Sequence, residues 1–181
     1  YGVAWWLAGK APQFFFEAEG TPLVVAGNEK WGTSNCLLPV ERSETSTDWL
    51  LPGGTLTFFS DLPELTAVHM DVTAMYPRGC NLRAATRTFV LIGGRMLLVC
   101  DRAEGPDPAR FESCVLTWAD AEVRDGALTA HTGGGIPLQI QPVDGEFRAS
   151  SCGDRAVKLD GREDIQARMF GLHTTSGEGR Y

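Results

Sequence analysis

Few residues here are suited to proton transfer, nucleophilic attack or anion binding. Those whose type or spacing stands out are His69, His131 and His173; Cys36, Cys80, Cys100, Cys114 and Cys152; and a local cluster of Arg78, Arg83 and Arg87. His69 lies in Val68-His69-Met70-Asp71-Val72. On a strand, His69 and Asp71 point to the same face. That spacing suits an imidazole acid/base oriented by a carboxylate. It equally suits a polar stripe on a half-buried strand. His131 and His173 fall at strand ends or in loops, with no partner in the sequence. No histidines are spaced as HxH or HExxH and no cysteines as CxxC, so no metal-ligand set is legible. There is no GxSxG, P-loop or dinucleotide fingerprint. Gly133-Gly134-Gly135 precedes a strand, and so lacks the helix N-terminus that holds phosphate. The sequence therefore predicts neither metal nor cofactor.

Arginine and aromatic residues suggest binding instead. Arg83 and Arg87 are expected on one strand face, roughly 13 Å apart at ~3.3 Å per residue. Guanidinium forks match carboxylates and sulfates, which fits an acidic sugar chain. Cross-strand ion pairing on an outer sheet face is the competing reading. Trp5, Trp6, Trp31 and Trp49 crowd near Phe14-Phe15-Phe16. Flat rings of this kind stack on sugars, and Trp31 is the candidate platform. Alternatively, the aromatic segment fills the core or packs against another domain. Cys100 and Cys114 sit in apolar runs and read as buried thiols acting as small hydrophobes. One or two disulfides in an oxidising compartment is the alternative, and the odd count then leaves at least one cysteine outside any intrachain bridge.

The elements that must position these groups are strands. From Ala84 to Asp101, Thr86, Thr88, Val90 and Ile92 alternate with Ala85, Arg87, Phe89 and Leu91. Gly93-Gly94 then reads as a two-residue hairpin turn, and Arg95–Cys100 as the return strand. Further strands are expected at Phe14–Ala18, Leu23–Ala26, Thr55–Ser60, Thr66–Thr73, Glu112–Trp118, Ala127–His131, Ile136–Gln141 and Gln166–Phe170. Weaker patterns lie at Ala121–Arg124, Phe147–Ala149 and Ala156–Leu159. Pro52-Gly53-Gly54, Asp125-Gly126, Asp144-Gly145 and Asp160-Gly161 supply turn chemistry between them. Helix is expected only in short pieces, for instance around Pro108–Glu112. The fold class is thus all-β, an antiparallel two-sheet β-sandwich of about ten to twelve strands.

At 181 residues the chain reads as one domain, 1–181, with a possible loop boundary at 41–48. Its 16 Lys+Arg against 23 Asp+Glu leave a net charge of −7. That balance argues against a general nucleic-acid binder, which needs a basic footprint, and against a polybasic membrane-surface protein. Its apolar runs, such as Phe89-Val90-Leu91-Ile92, are far short of the ~20 residues of a membrane-spanning helix.

One stretch carries a family resemblance. The strings D-V-T-A-M-Y-P and R-A-A-T-R-T-F-V-L-I-G-G-R-M-L-L-V-C-D, between Asp71 and Asp101, resemble the sheet region of heparinase II/III-like polysaccharide lyases. Asp71, Thr73, Tyr76, Arg87 and Asp101 match that pattern, and the likeness extends over Phe14 to Pro142. The resemblance implies a β-sandwich that works with a helical toroid to cleave acidic, uronate-bearing polysaccharides by β-elimination. It also implies a periplasmic or secreted setting. The family opens its sheet domain with His-x-Asp, Asp-x-Gly and His-Asn motifs that often furnish a metal. Here Ala8, Lys10, Val25 and Ser34 fall at the His, Asp, Asp and His positions, and Ala or Val cannot hold a cation. The resemblance thus implies a degenerate metal and active-site motif.

The expectation is a fragment or sheet half of a larger protein, inactive alone. Its partners would be an acidic polysaccharide and a helical domain of the same or another chain, not nucleic acid. Arg83, Arg87 and Trp31 are the candidate substrate contacts; His69, Asp71 and Tyr76 are the weak catalytic candidates. The alternative is a non-catalytic carbohydrate-binding, structural or assembly module.

Overall fold

The computed structural model describes residues 2–6, 13–18, 21–25, 35–39, 54–106, 111–125, 127–131, 134–135, 137–141, 147–157 and 165–174. Among these residues there is no α-helix, only two short 3-10 turns and fourteen strands. The first seven strands are β1 (Gly2–Trp6), β2 (Gln13–Ala18), β3 (Thr21–Val24), β4 (Leu37–Pro39), β5 (Thr55–Leu62), β6 (Leu65–Asp71) and β7 (Ala84–Ile92). The remainder are β8 (Met96–Glu104), β9 (Phe111–Thr117), β10 (Asp120–Arg124), β11 (Ala127–His131), β12 (Pro137–Ile140), β13 (Phe147–Val157) and β14 (Ile165–Thr174).

Every pairing is antiparallel. The strands form four hydrogen-bonded ladders, ordered β5-β6-β7-β8, β13-β14-β9-β4, β1-β2-β3 and β10-β11-β12. The all-β, sandwich-like class follows the sequence pattern. The finer count does not: β1 and β4 carried no alternation to reveal them. Phe147–Ala149 and the first two residues of Ala156–Leu159 belong to one long β13, interrupted by a register shift between Ser151 and Asp154, while 158–159 lie outside the described residues. Phe111 and Glu112 open β9, while 107–110 and the 41–48 loop lie outside the described residues. Among the described residues no helix is long and apolar enough to cross a membrane.

A single apolar cluster draws on all four ladders: Phe14 and Phe16 from β2, Val68, Met70 and Phe89 from β6 and β7, Leu116 from β9, Leu128 from β11. Period-two patterning produces this directly. Along β7, Ala85, Arg87 and Phe89 are buried while Thr86, Thr88 and Val90 are half-buried. The β7–β8 hairpin turns at Gly93 (φ 56°) and Gly94 (φ 64°), the positive-φ pair of a type I′ turn. The ladder resumes at Ile92↔Met96, so the loop holds three residues rather than two. β5 is the edge strand of its sheet, and a register shift between Leu56 and Phe58 interrupts its pairing with β6. It leaves Leu56, Phe58 and Phe59 48–58% exposed.

Candidate functional site

β6 ends at Asp71 because the chain turns there on its own side chain. Asp71 Oδ1 accepts a hydrogen bond from the Thr73 backbone N–H at 2.9 Å, an Asx-type turn. Two 3-10 turns follow, Thr73–Met75 and Arg78–Cys80. The second closes on Asn81 in the left-handed region (φ 52°), a conformation asparagine tolerates. Thr73 Oγ1 accepts from the Ala85 N–H at 2.8 Å, tying the connection to the start of β7. The Arg83 N–H bonds to the Glu104 carbonyl at 2.7 Å. Gly105 allows this close return, since a Cβ there would meet the Asn81 carbonyl oxygen at 3.2 Å.

The connection encloses a cleft of about 300 Å³ lined by Thr73, Ala74, Tyr76, Pro77, Arg78 and Leu82. Arg78 and Arg83 are both exposed on this connection. It therefore carries Asp71, Tyr76 and two guanidinium groups within thirteen residues. Thr73 holds the Asp71 carboxyl below its ordinary range, mostly through hydrogen bonds, with a smaller contribution from the charge of His69. A depressed carboxyl stabilises the fold above its unfolded-state value, and the increment is lost as pH falls through the folded-state value. In Thr73→Val the Asp71 midpoint, followed by carboxyl NMR, is expected to move up toward the ordinary value. Stability should drop by about 1 kcal/mol as the Ala85 N–H loses its acceptor. An unchanged midpoint would contradict the assigned cause.

Placement of the other candidates separates surface from interior. His69 and Asp71 do share the outer face of β6, between buried Val68 and Met70. The His69 ring, however, bonds through Nδ1 to Thr88 Oγ1 at 2.7 Å, across the β6–β7 ladder. Asp71 turns to Thr73 instead, so a hydroxyl, not a carboxylate, orients the imidazole.

Tyr76 is buried. Its hydroxyl donates to the Leu37 carbonyl at 2.6 Å, its ring meets Phe111 edge-on at 6.0 Å, and burial pushes the phenol well above its ordinary range. It is an anchor between layers rather than a base facing solvent.

Arg87 departs furthest from expectation. At 1% exposure, it lies directly opposite Asp101 in the β7–β8 register. Its Nε and Nη2 donate to the two Asp101 carboxylate oxygens, each at 2.6 Å, and Nη1 donates to the Asn35 carbonyl at 2.6 Å. Ser113 Oγ donates to Asp101 Oδ2 at 2.5 Å. The guanidinium carbon stands 5.6 Å from the Phe89 ring centre. A sugar chain at the surface cannot reach this group. Nor do Arg83 and Arg87 share a face, because β7 begins at Ala84 and Arg83 sits in the bend before it.

Trp31, Ala8, Lys10 and Ser34 lie outside the described residues. Val25 is fully buried, its N–H on the Leu116 carbonyl at 2.9 Å, so that position offers no donor atom for a cation from its side chain. Among the described residues no three His, Cys, Asp or Glu side chains gather as a metal site requires. Cys114 is buried as expected, but Cys100 is exposed on β8. Partial desolvation of its sulfur against the sheet and the neighbouring Asp101 charge raise the Cys100 thiol.

Sequence reasoning missed Asn35 and Ser113 as structural partners. The only signal was a polar residue immediately before each apolar run, Cys36-Leu37-Leu38 and Cys114-Val115-Leu116.

No family model matches the chain, and no curated protein sequence does. Solved structures do. The crystal structure of heparan sulfate lyase HepC from Pedobacter heparinus superposes with a TM-score of 0.67 at 14% identity, over 90% of this chain and 27% of that one. A mutant of the same enzyme gives 0.64 at 13% identity, over 91% and 28%. A heparinase III gives 0.55 at 11% identity, over 93% and 28%. The chain thus has the fold of a β-domain found in these lyases, and it spans under a third of their length.

Proposed function

We propose that this chain is a polysaccharide-lyase-related β-sandwich domain that contributes to binding an acidic, uronate-bearing polysaccharide and does not cleave it alone. The observation that carries the reading is the superposition of 90% of the chain on a heparan sulfate lyase. Arg83, with Arg78 at the cleft, supplies guanidinium groups for carboxylates or sulfates, a local basic patch on an acidic chain. Trp31 is the proposed sugar platform. Arg87 serves this surface only by fixing β7.

His69 and Asp71 are poor candidates for a base acting alone. Asp71 is committed to its turn, and the hydrogen bond assigned to the His69 ring is to Thr88. The substitutions at Ala8, Lys10, Val25 and Ser34 support a degenerate metal motif. The exposed apolar edge of β5 supports docking of a further domain, a helical one in the reading favoured here.

Immobilised heparan sulfate tests the proposal. The chain should be retained saturably and released by salt, without accumulating unsaturated product. Arg83→Ala should weaken retention about tenfold, the effect of losing ~1.4 kcal/mol, whereas Arg95→Ala in the distant hairpin turn should not. Absence of saturable binding, or an Arg83→Ala chain that binds like the parent, overturns the reading.

A further inference from the structure

β4 pairs β9 with Leu37 opposite Ser113, Leu38 opposite Glu112 and Pro39 opposite Phe111. One step further along the same register, Cys36 stands opposite Cys114. The Cys114 N–H bonds to the Cys36 carbonyl at 2.9 Å, which makes this a hydrogen-bonded antiparallel pair. Residues directly opposite on a ladder project from the same face. Their Cα atoms lie ~5.5 Å apart in such a pair, inside the range a disulfide spans, while their Cβ atoms, up to ~5.5 Å apart, must draw together by about 1 Å, so the bridge is strained and readily reduced. Both residues are buried, at 1% and 0% exposure, and both are reduced thiols in this structure. On the other side of β9, Gly171 of β14 faces Cys114, so no side chain from that strand enters the row.

We propose that Cys36 and Cys114 are a cross-strand disulfide site, closed when the chain folds in the presence of a small-molecule disulfide oxidant. The Cys36 thiolate attacks one sulfur of oxidised glutathione, forming a mixed disulfide and expelling one glutathione thiolate. The Cys114 thiolate then attacks the Cys36 sulfur and expels the second. Two protein thiols lose two protons and two electrons, and one molecule of oxidised glutathione becomes two of glutathione. The Cys114 Sγ contact to the Glu112 carbonyl, at 3.8 Å, is weak.

The bridge has a structural consequence. β4 is three residues long, at the edge of its sheet, and Asn35 beside it holds β2, Val25 and Arg87. Joining Cys36 to Cys114 closes a loop on the order of 80 residues and fixes this junction in the unfolded chain as well. Oxidation would thus reinforce the place where three sheets meet.

The reduced chain is refolded in a glutathione redox buffer, its remaining thiols are alkylated, and peptides are mapped by mass. The expected product is about 2 Da lighter before alkylation. Its Cys36 and Cys114 peptides are joined, and Cys80, Cys100 and Cys152 are alkylated. Its melting temperature should rise by only a few degrees, because strain offsets part of the loop-closure gain, and fall back with dithiothreitol. Five alkylated cysteines in the folded chain, or a bridge involving Cys80, Cys100 or Cys152, overturns the proposal. Mapping the unsubstituted chain makes the result independent of whether a Cys36→Ser variant folds.

Discussion

Asp101→Ala is expected to cost about 3–5 kcal/mol of stability, read as a large drop in the urea midpoint. The substitution leaves a guanidinium at 1% exposure with two of its N–H groups facing a cavity. The Asn35 carbonyl and a long 3.4 Å contact to Ser113 remain, and neither carries the charge that balances the arginine. Arg87→Met should be similarly severe in reverse, stranding a carboxylate that keeps only the Ser113 hydroxyl among its present donors. The double variant Arg87→Met/Asp101→Leu should be less destabilised than either single change, because no buried charge is then left uncompensated. Some loss should persist, since the Asn35 carbonyl forfeits its donor. Additive single effects would mean that the pair does not act as a unit.

This pair also shows how the sequence was informative and where it stopped. Alternation along Ala84 to Ile92 located β7 and its partner strand, because period two follows from backbone geometry alone. It could not say which face turned inward. An arginine among threonines reads as surface by ordinary burial preference. Only the strand opposite, presenting Asp101 in register, makes its burial tolerable. The residues carrying the family resemblance behave alike. Asp71 and Thr73 shape a turn, Tyr76 holds Leu37, and Arg87 meets Asp101. Each match marks a position the fold needs, so the resemblance was informative about architecture and carried little about chemistry. The candidate surface is instead Arg78 and Arg83, whose exposure depends on where β7 starts, and strand boundaries are what periodicity fixes least.

β4 was not legible because three residues give no period. Its neighbour Asn35 leads to the second large effect. β2 pairs with β1 on one side, Trp5 opposite Phe14, and with β3 on the other, but that second ladder extends only from Ala18 to Phe16. Beyond Val24 the chain leaves, and the Val25 N–H bonds to Leu116. Phe14 would therefore face a gap. The Asn35 side chain fills it as a peptide group would: Oδ1 accepts from the Phe14 N–H at 3.1 Å, and Nδ2 donates to the Phe14 carbonyl at 2.5 Å and the Val25 carbonyl at 2.8 Å. With two carbonyls at one end and an N–H at the other, the orientation of the amide is determined.

Asn35→Ala leaves three backbone groups without this partner at a fully buried site, at about 1–3 kcal/mol for each left unsatisfied. Partial relaxation brings the expected loss to roughly 3–4 kcal/mol. Asn35→Asp should not rescue it, because a carboxylate keeps the acceptor and sets negative charge against two carbonyl oxygens. Urea unfolding gives the energy. Hydrogen exchange gives the location: the Phe14 amide should lose protection in Asn35→Ala, while the Phe89 amide in β7 keeps more of it. A variant within about 1 kcal/mol of the parent, with Phe14 still protected, would show that β2 does not depend on this side chain.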